Sequence, residues 1–123
     1  MSAERASSPH QVPQPTATPE ALRSALAIVA PARLSAFDGE RAAATEAARS
    51  TVSAAPLRRF VEQWAVYVAI ERHPDRAARL RELEARAATV DDLTEARAVA
   101  AEVSEILAAA VIEAGLDRGE GTT

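Results

Sequence analysis

The apolar positions of this chain recur every three or four residues in five stretches, and one stretch is apolar nearly all round. Between residues 57 and 70, Leu57, Phe60, Val61, Trp64 and Val68 keep the spacing of one helix face. Three of the four aromatic residues, Phe60, Trp64 and Tyr67, fall here. Val66 and Ile70 project from almost the opposite side, so this helix needs cover on two faces. The Val, Tyr and Trp content would also suit a strand, but the helical periodicity begins well before that run and decides against it. Ser53 is placed to cap the helix, Pro56 stands in its first turn and Pro74 stops it, which predicts a helix over about 54–72.

Four further helices flank it. Thr18-Pro19-Glu20 is a helix start, with Thr18 as N-cap, Pro19 at the first helical position and Glu20 at the positive end of the dipole. Leu22, Leu26 and Val29 then define one face of a helix over about 19–29. Pro31 separates it from a second helix over about 32–50, striped by Leu34, Phe37, Ala44 and Ala48 and weakened by Gly39. Asp75 or His73 can cap a fourth helix over about 75–88, in which Leu80, Leu83 and Ala87 point inward and Glu82 can pair with Arg86. The last helix, about 92–114, starts at Asp92 with Glu95 three residues on, an acidic capping box. Its seam runs through Leu93, Ala96, Ala100, Val103, Leu107, Ala110 and Ala114, widened by Val99, Ile106 and Val111. Gly115 and Leu116 suit a Schellman ending. The pattern predicts an all-α bundle of about five helices over residues 18–115, with a disordered tail at 1–17 and a frayed end at 116–123. Whether the last two helices form a hairpin or one bent rod is not decided by periodicity.

Composition reinforces the helical reading. Alanine occurs 31 times among 123 residues, and Arg, Glu and Leu dominate the rest. Every Lys position of an ordinary sequence is filled by Arg or absent, and there is no Asn, which reflects a GC-rich genome of actinobacterial type rather than function. Small side chains bury little area each, so one modest core is all the chain can build. The absence of Cys removes disulfides and thiolate sites and fits a cytoplasmic protein. No run approaches the roughly 20 apolar residues of a membrane span.

Candidate chemistry is sparse. His73, the one histidine in the folded region, has no partner that sequence can place, and His10 lies in the tail as a solvated bystander. No motif for catalysis, a metal or a cofactor is present. Arg72, Arg76, Arg79, Arg81 and Arg86 invite a nucleic-acid reading, but Asp75, Glu82 and Glu84 leave only +2 over residues 72–86, and the net charge of −4 argues against it. Residues 91–114 instead hold six acids and one Arg, with Glu95, Glu102 and Glu113 on one stripe. Such a stripe is suited to steering a basic protein.

The order Thr18-Pro19-Glu20-Ala21-Leu22-Arg23-Ser24-Ala25-Leu26, Phe37-Asp38-Gly39-Glu40-Arg41-Ala42-Ala43-Ala44, Ala55-Pro56-Leu57 and Val61-Glu62-Gln63-Trp64 resembles a family of short actinobacterial helical proteins of unknown function. Some of that family lie beside RelE-like or ParE-like toxin genes. The resemblance covers about residues 18–70 and implies an antitoxin-like, non-enzymatic role: binding and covering another protein. In that role the acidic last helix would dock on a basic partner, with Glu95, Glu102, Val103, Leu107 and Glu113 in contact and Val66 and Ile70 completing the apolar surface. The alternative is self-association, in which Val66, Ile70 and the last-helix seam bury against a second copy as a homodimer.

Overall fold

The computed structural model of the chain describes residues 12–116, and prolines, caps and turns set its elements. Thr18 caps α1, Pro19–Val29: its Oγ1 accepts the Ala21 N–H at 3.1 Å, and Pro19 takes the first helical position. A 3₁₀ turn, Pro31–Arg33, bends the chain into α2, Leu34–Thr51. Ser53 Oγ accepts the Ala55 N–H at 3.1 Å at the start of α3, Ala55–Glu71. α4, Pro74–Ala87, begins directly on its proline; His73 holds the N-cap position but makes no side-chain cap bond. Asp92 caps α5, Leu93–Glu113, by accepting the Glu95 N–H at 2.8 Å. Among the described residues there are five α-helices and no strand, the all-α bundle that periodicity predicts. None of the helices is long and apolar enough to cross a membrane.

α3 packs against all four of the other helices. Toward α1 and α2 it presents Phe60, Trp64 and Val68, which meet Leu22, Leu26 and Phe37 in the larger apolar cluster. The Phe37 ring sits 5.0 Å from Phe60 and 5.3 Å from Trp64, centroid to centroid, tilted or edge-on as aromatic quadrupoles prefer. Trp64 Nε1 donates to Glu40 Oε1 at 2.9 Å, so the indole keeps a polar partner while its body is buried. Toward α4 and α5, Ala69 and Ile70 join Ala77, Leu80 and Ala110 in a second cluster, and Val66 packs against both. Ile70 is only 6% exposed. The cover that α3 needs on its second face therefore comes from the chain's own α4 and α5, which correct the expectation of Val66 and Ile70 as outward docking residues. α4 and α5 run antiparallel as a hairpin, joined by residues 88–92.

The predicted tail also needs correction over residues 12–17. This segment has little to bury, yet two hydrogen bonds fasten it: Arg72 Nε donates to the Val12 carbonyl at 2.8 Å, and Gln14 Nε2 to the Ala65 carbonyl at 3.1 Å. Polar side chains meeting backbone carbonyls leave no trace in a hydropathy pattern. The remainder of the predicted tail, with His10, and the frayed end from 117 onward lie outside the described residues.

Two helices end in the same motif with different residues. After α5, the Leu116 N–H bonds the Val111 carbonyl and the Gly115 N–H bonds that of Ile112, both at 3.0 Å, with Gly115 at φ 79°: the Schellman ending expected there. After α2, Ser53 bonds Ala48 and Val52 bonds Arg49 in the same pattern, but the left-handed residue is Val52, φ 51°, a β-branched side chain 89% exposed. Left-handed backbone is costly for such a residue. Val52→Gly is expected to stabilise the protein by roughly 0.5–1 kcal/mol, raising its melting temperature by several degrees. Thermal unfolding followed by circular dichroism checks this, and an unchanged or lower midpoint would show the turn to be unstrained.

Candidate functional site

The arginines of α4 and the glutamates of α5 face one another along the hairpin. Arg86 pairs with Glu95, and one heptad away Arg79 holds Glu102 through two bonds of 2.7 Å. At the far end Glu113 receives Arg76 Nη2 and Arg72 Nη1, each at 2.8 Å, with His73 Nε2 at 3.0 Å from the same carboxylate. Arg76 also donates to the Ala69 carbonyl at 3.1 Å, and Arg72 reaches Val12, so this cluster ties α3, α4, α5 and the entering chain together. The hydrogen bond from Arg76, reinforced by His73 against the opposing effect of partial burial, pulls the Glu113 carboxyl down from 4.5 to about 2. Arg79 likewise lowers Glu102.

The acidic stripe is thus real but not free. Glu95, Glu102 and Glu113 share one flank of α5 as their spacing predicts, and all three are engaged by α4. The arginine run supplies the partners, Arg72, Arg76, Arg79 and Arg86, and Glu82 pairs with Arg79 at 3.1 Å rather than with Arg86. Complementarity between two segments was legible only once the hairpin brought them together.

These pairs roll α5. Its buried line consists of Val99, Ala110 and Ala114, with Val103 and Ile106 packed on the second cluster, so the helix is turned from the expected seam by about half of one residue's 100° step. The β-branched Val99 and Ile106, expected at the margin, lie on the inner side in this rotation. Leu93 and Leu107 lie outside, 64% and 40% exposed, and Ile112 is 59% exposed. Of the residues expected at a partner surface, only Leu107 is both apolar and exposed. It borders a 260 Å³ hollow walled by Trp64, Val66, Tyr67, Ile70, Leu80 and Glu84, where the Arg33 guanidinium lies 5.5 Å from the Trp64 ring centre and 5.7 Å from that of Tyr67. A larger apolar groove, 520 Å³, lies at the opposite end of α3 between Pro19, Leu57, Val61 and Leu116. Among the described residues, no three His, Cys, Asp or Glu side chains converge to hold a metal ion.

The molecule is a small all-α bundle built on one two-faced helix, with an ion-paired C-terminal hairpin whose last helix exposes Leu93, Leu107 and Ile112. It belongs to the family described as "Family of unknown function (DUF6247)", whose model matches residues 10–111. That match takes in α4 and most of α5, well beyond the span of the resemblance at residues 18–70. No curated protein and no solved structure matches the chain.

Because Glu113 is held at about 2 against an ordinary 4.5, the folded state binds fewer protons than the unfolded one between these values. Its contribution is complete above about pH 4.5 and fades as pH falls toward 2. Glu113→Gln is expected to cost about 2 kcal/mol at pH 7 and to flatten the acid side of the stability profile. Urea unfolding at pH 7 and pH 3 tests both; parallel losses in variant and wild type would exclude Glu113 as the acid-sensitive clamp.

Proposed function

We propose that this chain is a non-catalytic protein-binding module that docks through the outward face of α5. One observation supports this reading above the rest: α5 exposes Leu93, Leu107 and Ile112 along its length. Leu93 and Leu107 stand within about 40° of each other around the helix and Ile112 about 100° from Leu93, so large apolar side chains punctuate an exposed arc that also carries Arg97. The antitoxin-like form of the role, in which the module covers the product of a neighbouring toxin gene in an actinobacterial cell, rests on the resemblance at residues 18–70. Its mechanism differs from the acidic docking first expected. A basic partner would have to displace four arginines to reach Glu95, Glu102 and Glu113, whereas Leu93, Leu107 and Ile112 are open without rearrangement. Recognition then follows the helix-in-groove mode, with exposed apolar side chains as anchors.

Co-expression with the adjacent gene product is the test. Wild type is expected to co-purify with it and suppress its toxicity; Leu107→Asp combined with Ile112→Asp is expected to weaken the complex at least tenfold, a loss of about 1.4 kcal/mol or more, while Glu102→Gln leaves it intact. The opposite pattern would return the docking role to the acidic stripe. A harmless neighbour that never binds would overturn the antitoxin form.

A further inference from the structure

The outward face of α5 carries two charged residues, Arg97 and Glu105, and neither has an ion-pair or hydrogen-bond partner among the described residues, in contrast to Glu95, Glu102 and Glu113. They are eight residues apart, about 12 Å along the helix, too far to meet in a good pair within one chain. Both lie four residues from Ala101. We infer that the face pairs with a second copy of this chain, α5 against α5, antiparallel about a two-fold axis at Ala101.

The inference deepens the protein-binding reading and rests on it. An isologous interface must be complementary to itself, and this face is, in one register. With the axis at Ala101, Arg97 of each copy lies opposite the partner's Glu105, giving two reciprocal ion pairs. Ile112, within about 20° of Ala101 around the helix, then lies over the start of the partner's α5 at both ends of the pair. Between the charges, Ala98 and Ala101 present only methyl groups, which lets two helices approach to about 8 Å. A parallel pair would set Arg97 on Arg97 and Glu105 on Glu105. Moving the two-fold axis by four residues, to 97 or to 105, would set Arg97 on Arg97 or Glu105 on Glu105 again. Charge therefore selects both the direction and the register. The arginine–glutamate pairs of the hairpin lie on another flank and are undisturbed.

Sedimentation of the full chain is expected to give a dimer of twice 13.0 kDa, that is 26.0 kDa. Arg97→Glu alone and Glu105→Arg alone are each expected to raise its dissociation constant about tenfold or more, and the double reversal to restore it to within about threefold. Because the chain has no cysteine, Ala101→Cys supplies a clean second readout: oxidation is expected to link two copies through the axis, whereas Ala78→Cys on the exposed side of α4 is not. A monomer up to about 1 mM, a dimer indifferent to the single reversals, or failure of the Ala101→Cys crosslink would each overturn the inference. A monomer whose complex with the neighbouring gene product is lost in the Leu107→Asp, Ile112→Asp variant would overturn it while leaving the protein-binding function in place.

Discussion

An α-helix that is apolar on two opposite faces cannot rest on the surface of a bundle; it must run through the middle. α3 is in that position. Phe60, Trp64 and Val68 are satisfied by α1 and α2, and Ala69 and Ile70 by the α4–α5 hairpin. The two covers differ in kind. The first is built from large side chains, Phe37, Leu22 and Leu26 among them, whose burial contributes on the order of 1.5–3 kcal/mol each. The second is built largely from alanines, which bury little. Its attachment depends on the salt-bridged edge of the hairpin and on the contacts that Arg72 and Arg76 make back to the Val12 and Ala69 carbonyls.

That division explains why charge rather than apolar area fixes the rotation of α5. Isolated surface ion pairs contribute little, but the Glu113 site is mostly shielded and gathers two arginines and His73 on one carboxylate. The bidentate Arg79–Glu102 pair repeats the constraint about three turns along the helix. A helix held at several points on one flank has one rotation left to it, and the residues outside that arc become surface whatever their hydropathy.

The helices, most of their caps and the all-α class were legible in the sequence because each has a local cause: Thr18 and Asp92 cap, Pro56 stands in a first turn, Pro74 stops α3, Gly115 ends α5. The rotation of α5 was not. Its seam was read from spacing alone, and an alanine-rich helix offers several nearly equivalent stripes; only pairing with α4 distinguishes them. The acidic stripe was found correctly as a stripe, but its use depends on residues 9 to 41 positions away, from Arg86 to Glu95 and from Arg72 to Glu113. The same holds for Arg97 and Glu105. They stand out only after the other glutamates have been given partners, since sequence cannot show which charges a fold leaves unused.

The clamp and the outward face are consequently one device. Glu95, Glu102 and Glu113 touch nothing on the exposed side of α5, yet they decide that Leu93, Leu107 and Ile112 lie there. Loss of Glu113 would release the last turns first, because it is the point where α5 meets α3, α4 and residue 12 together. Ile112 is the adjacent residue and would lose its orientation with it, whereas Leu93, held near Asp92 and Glu95 at the other end, would keep its own. A defect in binding caused by the clamp should therefore be graded along the helix rather than uniform, which distinguishes a residue that positions the surface from one that forms it.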